Sequence, residues 1–167
     1  MKELLRFHTV FVEGINYHLD IEDAQIPGMA DQMEDFRGGG MDGAIDVELG
    51  IEKAKASMMM LSLNPALLQR AGLASGKRTR VTFRGHTVSE FTDDEKDVLC
   101  IVEGRISANP KAWKSGSKTG VEYPISGISY YKLLIGGELM WERDIPNMIR
   151  RVGNIDQLLT ARRSLGF

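Results

Sequence analysis

The sequence predicts a mainly β fold of the α+β kind, in which antiparallel strands dominate and two short helices flank them. Three observations predict it. Ile45, Val47, Leu49 and Ile51 alternate with a polar set that includes Asp46, Glu48 and Glu52, the two-residue repeat of a half-buried strand. Two extended runs, 121–135 and 138–143, are joined by Gly136-Gly137, which predicts a tight hairpin. Helical spacing of apolar residues is confined to two short stretches, one after Asn64 and one after Asn154.

The 167 residues suit a single domain, 1–167, with room for a sizeable core. Hydrophobic and charged fractions of 43% and 26% are those of an ordinary soluble domain. No apolar run is long enough to span a membrane, and the charged start Met1-Lys2-Glu3-Leu4-Leu5-Arg6 does not read as a signal peptide. Cys100 is the one cysteine, which excludes an internal disulfide and a multi-cysteine zinc site. The net charge of −2 hides a segregation. Residues 1–52 carry twelve acids against three bases, and residues 53–167 carry eleven acids against eighteen bases. Such a split fits three situations: a nucleic-acid partner for the basic part, head-to-tail contact between copies, or pairing of both parts inside one fold.

Along the chain, Thr9 to Gly14 reads as a short strand ending in a turn, and Tyr17-His18 opens a second extended piece. Pro27 holds Ile26 extended. Residues 20–43 carry seven acids and one base without sustained periodicity, and are expected to form an extended arm. Met29 and Met33 at its centre suit docking on another surface or covering the domain's own core. Arg37-Gly38-Gly39-Gly40-Met41 follows, with Gly43 close behind. These glycines allow unusual backbone angles and close approach of another chain, so the stretch reads as a hinge between arm and first long strand. Gly38-x-Gly40-x-x-Gly43 matches the dinucleotide fingerprint by letter. It precedes a strand instead of opening a helix, and Asp42 would repel phosphate.

After Ile51 the apolar phase slips by one residue to Ala54, Ala56, Met58 and Met60, the sign of a turn or bulge. Met58 to Met60 read as core filling. Asn64-Pro65 opens a helix that Gly72 ends. Residues 72–77 resemble a phosphate loop but are one residue short, and Arg78 stands where magnesium needs a hydroxyl. On the next strand Arg78, Arg80, Thr82 and Arg84 face one way, and Val81 and Phe83 the other. The basic stripe could track phosphates but has no stacking aromatic on its face, so it reads first as a solvated or subunit-facing stripe. Phe91 to Glu95 is an acidic turn, Val98 to Ile106 a largely buried strand, and Trp113 sits in a polar loop. At the end, Asn154 and Gln157 form a possible capping pair for a short helix closed by Gly166.

No catalytic constellation emerges. His8, His18 and His86 lack metal-ligand spacing, His18 and Asp20 form at most a structural pair, and Cys100 lies in an apolar run. The residues point to no metal, no cofactor and no small-molecule substrate, and so to a binding or structural role.

The ordered motifs do carry a resemblance. Phe36-Arg37-Gly38-Gly39-Gly40-Met41-Asp42-Gly43-Ala44 resembles the signature of the major tail tube proteins of contractile-tailed, P2-like phages and R-type pyocins. Phe11-Val12-Glu13-Gly14 with Tyr17, Ile26-Pro27, Trp113-Lys114-Ser115-Gly116, Ser129-Tyr130-Tyr131-Lys132-Leu133 and the segment from Asp156 to Gly166 match further family segments in the same order. Phe36 stands where the family pattern has tyrosine, and Gly153-Asn154 is inverted relative to it.

The resemblance implies an antiparallel sandwich or barrel-like tube domain with a flanking helix, forming hexameric rings that stack into a hollow tube inside a sheath. It implies as partners other copies of the chain, the tail sheath, baseplate and tail terminator proteins, and tape measure protein or DNA in the lumen. The implied location is the virion or a phage-tail-like particle. Three sets of residues are then expected to matter. Met29, Met33, Arg37, Gly38, Gly39, Gly40 and Met41 are arm and hinge candidates between subunits. Asp46, Glu48 and Glu52 are candidates for an acidic lumen that repels DNA phosphates. Arg78, Arg80 and Arg84 are basic interface candidates, and pairing between these arginines and those acids is the competing expectation. The rival from another class is a small β-barrel nucleic-acid-binding module using the basic stripe, and a secretion-system tube is a related alternative.

Overall fold

A computed structural model describes residues 3–167. Met1 and Lys2, part of the charged start, lie outside the described residues. The elements in order are β1 (Leu4–Val12), β2 (Ile15–Asn16), β3 (Ile21–Gln25), β4 (Asp31–Phe36), β5 (Ile45–Ile51), β6 (Ala56–Met60), α1 (Pro65–Leu68), β7 (Thr79–Val88), β8 (Glu95–Ile106), β9 (Asn109–Pro110), β10 (Val121–Ile135), β11 (Glu138–Asp144), β12 (Ile149–Val152), β13 (Ile155–Asp156) and α2 (Leu159–Ser164). The mainly β class is as the sequence predicts, and every strand pairing is antiparallel.

The main sheet runs β13-β12-β11-β10-β8-β7-β1-β2, and β6, β3 and β9 join through the first half of β10. β10 changes partners where its register with β8 breaks between Ser126 and Tyr130, at Gly127 with φ +58°. A bulge of this kind bends a strand and lets it serve two layers. The core lies between those layers. Val10, Phe83, Cys100 and Leu133 stand side by side across four strands and are almost fully buried. Ala56, Met58 and Met60 of β6 and Tyr123 and Ile125 of β10 belong to the same buried cluster. Ala54, Ala56, Met58 and Met60 are all buried, as the shifted phase requires. The main sheet is open within one chain, with β13 at one end of its path and β2 at the other. Among the described residues the sheet does not close into a barrel.

The Gly136-Gly137 turn is as expected. Both glycines have positive φ, +58° and +78°, which is what a two-residue turn matching the twist of its strands requires.

Five expectations change. The strand over 45–51 forms, but it is not half-buried. It pairs only with β4 in a separate two-stranded ribbon, and Ile45, Val47 and Leu49 are 54%, 39% and 58% exposed. The periodicity marks an amphipathic strand; among the described residues its apolar face stays largely exposed. The glycine-rich stretch is accordingly the loop between β4 and β5, and 20–43 holds β3 and β4 despite lacking a clear period. The helix after Asn64 is a single turn, in which Asn64 Oδ1 accepts from the Ala66 and Leu67 amides while Leu67 is buried. At the other end, 155–156 join β13, and α2 starts at Leu159. There Asp156, not the pair Asn154 and Gln157, accepts the Leu158 amide. Finally, β8 alternates between buried and half-exposed residues instead of being buried throughout, because only one face of it meets the core.

Candidate functional site

The β4–β5 ribbon is the part of the molecule least explained by the molecule itself. Its register pairs Phe36 with Ile45, Glu34 with Val47, Asp35 with Asp46 and Met33 with Glu48. Directly paired residues share a face, so Phe36, Ile45 and Val47 lie on one face with Glu34 beside Val47, and Met33, Asp35, Asp46 and Glu48 lie on the other; Leu49, exposed like its neighbours, falls at the register shift. The polar face touches the body. Arg150 Nη1 donates to Glu48 Oε1 at 2.8 Å, and Arg143 Nη1 donates to the Glu52 carbonyl at 3.0 Å. The apolar face points away and stays exposed, Phe36 at 55%.

The loop at the tip is held by its own atoms. The Met41 amide donates to the Gly38 carbonyl at 3.0 Å, and the Gly38 amide approaches Met41 Sδ at 3.2 Å. Gly38, Gly39, Gly40 and Gly43 all lie outside the positive-φ glycines. A Cβ on Gly39, Gly40 or Gly43 would meet nothing within 4 Å, and one on Gly38 would make ordinary contact with Met41. Neither backbone angle nor packing inside this chain calls for four glycines here.

The remaining candidates separate. Met29 packs against the core cluster, while Met33 is 53% exposed on the ribbon. Arg37 Nε reaches the Met41 carbonyl at 3.4 Å. Asp46 is exposed opposite Asp35, and Glu52 stands just past the ribbon with its amide donating to the Ala30 carbonyl at 2.8 Å. Arg80 Nε lies 3.7 Å from Glu103, Arg84 lies over the Phe11 ring at 5.5 Å, and Arg78 is exposed in the turn before β7. Phe11 comes from β1, so the basic stripe does have an aromatic neighbour that its own strand could not reveal. Among the described residues, Asp46, Glu48 and Glu52 make no ion pair with Arg78, Arg80 or Arg84. The arginines that meet the ribbon are Arg143 and Arg150. Their contacts join positions 91 and 102 residues apart, and no local pattern signals them.

Glu142, Tyr130, Cys100 and Asp20 have structural roles. Glu142 accepts from Tyr130 Oη at 3.1 Å and Arg151 Nη1 at 3.0 Å, and burial together with that carboxylate pushes the Tyr130 hydroxyl up to about 12. Burial pushes the Cys100 thiol up to about 12, which makes it a core residue and a poor nucleophile. His18 and Asp20 lie in a turn, where Asp20 accepts from Ser62 at 2.7 Å.

The family model for phage tail tube protein FII matches residues 2–166. The tail tube protein of Escherichia phage P2 is 27% identical over 171 aligned positions, covering 99% of this chain and 98% of that one. The major tail tube protein of Serratia phage KSP20 is 32% identical over 150 positions, covering 87% of this chain and 84% of that one. The chain therefore belongs to the phage tail tube protein FII family, and is a structural component of the virion.

Proposed function

We propose that copies of this chain form the inner tube of a contractile tail or phage-tail-like particle, as hexameric rings stacked into a hollow cylinder. The role is non-enzymatic. The observation that carries the reading is the β4–β5 ribbon, whose apolar face is exposed in the single chain. Covering four half-exposed large apolar side chains is worth on the order of 1 kcal/mol each. That sum exceeds what an ion pair such as Glu48–Arg150 supplies at a partly exposed site. Association between copies is thus driven by apolar burial and oriented by charge.

Two further features support the reading. The open sheet leaves strand borders that pairing with neighbours would complete, removing exposed edges. The tip glycines 38–40, which nothing in the chain requires, leave room for close approach of another subunit's backbone. Asp46, exposed on the ribbon, is the foremost lumen candidate; Glu48 is engaged by Arg150, and Glu52 stands at the ribbon's base. An acidic wall passes DNA without binding it, because tight nonspecific binding needs phosphate neutralisation. The sheath would surround the tube, baseplate and terminator proteins would cap its ends, and tape measure protein or DNA would occupy the bore. In a headless particle the same tube punctures a membrane.

Native mass spectrometry of assembled material tests the ring. Masses at six times the 18.6 kDa subunit, and multiples of that ring, are expected; a different ring order would refute the hexamer. Titration with a short DNA duplex tests the rival module. Negligible binding at physiological salt is expected, while tight binding with a steep salt slope would favour a nucleic-acid-binding role for Arg78, Arg80 and Arg84.

A further inference from the structure

The buried row across the main sheet does not stop at Leu133. In register, Leu133 stands beside Trp141, Trp141 beside Val152 and Val152 beside Ile155. The row begins fully buried under the second layer and emerges from it. Leu133 is 4% exposed, Val152 44% and Ile155 67%. An open cleft of about 830 Å³ lies over this end, lined by Leu133, Leu139, Trp141 and Val152 among others. The core floor of the sheet thus extends beyond its own cover.

We infer that a second copy of this chain supplies the missing cover, by laying the outward face of its β4–β5 ribbon, Phe36, Ile45, Val47 and Leu49, on the floor formed by Trp141, Val152 and Ile155. Three observations select that occupant. Both surfaces are largely apolar and expose large side chains, Phe36, Ile45, Val47 and Leu49 on one and Val152 and Ile155 on the other, and the chain's own ribbon does not close the gap because its polar face is the one turned to the body. The charges lean the same way: ribbon residues 31–51 carry six acids and one base, and residues 149–167, which hold the floor's outer strands and α2, carry four bases and one acid, of which Arg150, Arg151 and Arg162 already pair within the chain and Arg163 lies on α2. The third observation is a contact of the same kind inside the chain. Arg143 and Arg150 stand side by side next to Tyr131, on the face that carries Trp141 and Val152, and they hold the chain's own ribbon there. A neighbour's ribbon would continue that layer along the same sheet. The contact is heterologous, one surface of each copy meeting a different surface of the next, so it propagates from copy to copy. The inference rests on the tube reading and names the joint within it.

Two measurements test it. Val47→Cys and Ile155→Cys are both exposed changes, and buried Cys100 leaves the new thiols as the reactive ones. Mixed and treated with a bismaleimide, the two variants are expected to give cross-linked dimers that neither gives alone. In a Trp113→Phe background, Trp141 is the remaining indole, and its emission is expected to shift to the blue on assembly. Rings or tubes without cross-linked dimers and without the shift would overturn the joint and leave the tube standing. Cross-linked dimers and a shift without rings would uphold the joint and overturn the tube. Monomers with neither signal would overturn both.

Discussion

At the scale of single residues, the sequence was legible where a side chain answers to its immediate neighbours. Met58 and Met60 are buried because the strand phase slips after Ile51, and that slip is written in the alternation. Structurally the slip is the passage from the ribbon into the main sheet. Met60→Ala is expected to destabilise the fold by about 2–5 kcal/mol, as deletion of a fully buried large side chain does, and chemical denaturation measures it. Gly104→Ala is expected to be destabilising by about 1–3 kcal/mol, because a Cβ there would meet Ile125 Cγ2 and the Ser126 carbonyl at 2.9 Å.

Among the described residues no side chain caps α2; Asp156, one of the residues that carry the family resemblance, instead ties the helix's start and body to the preceding strand. Its carboxyl is opposed by burial, yet the Leu158 amide and the Arg162 guanidinium 2.9 Å away hold it below the ordinary carboxylate range. A depressed folded pKa gives stability that is present above the unfolded value and lost as pH falls through the folded one. Asp156→Asn is therefore expected to flatten the acid limb of stability against pH below roughly pH 4, read from denaturation midpoints across pH. An unchanged acid limb would show that the carboxylate does not anchor α2.

At the scale of elements, hairpins announced by turn chemistry were readable and contacts distant in sequence were not. Gly136 and Gly137 fixed one turn because both must adopt positive φ, and Gly136→Ala is expected to be destabilising by about 1–2 kcal/mol. The β4–β5 ribbon was half legible. The alternation of β5 revealed a strand with an apolar and a polar face. It could not reveal that the apolar face lacks a cover in this chain, because alternation reports amphipathicity and not what lies opposite. β4 was obscured because its two large apolar residues, Met33 and Phe36, fall on opposite faces and so show no alternation. In isolated subunits, amide exchange over 31–51 is expected to be much faster than over β8 and β10, since the ribbon is a separate, largely exposed two-stranded sheet tied to the body at Arg150 and, just past its end, at Arg143. Assembly is expected to slow it. Equal protection of the ribbon and the core in monomers would mean that the ribbon is already stabilised from within.

At the scale of the whole molecule, composition gave a hint without a mechanism. The acidic first third and basic remainder meet partly within the chain, at Glu48–Arg150 and Lys118–Glu22. The larger unresolved balance is apolar: a ribbon face and a sheet floor, each exposed, on one polypeptide. No sequence pattern could have paired them, because the proposed pairing runs between copies. Negative-stain microscopy of the purified protein over a rising concentration series addresses this directly. Rings and stacked tubes that accumulate with concentration, and that disperse when Val47 and Leu49 are both changed to Asp in a still-folded chain, are expected. Monomers at every concentration, or tubes indifferent to those two changes, would contradict a subunit completed by its neighbours through the ribbon.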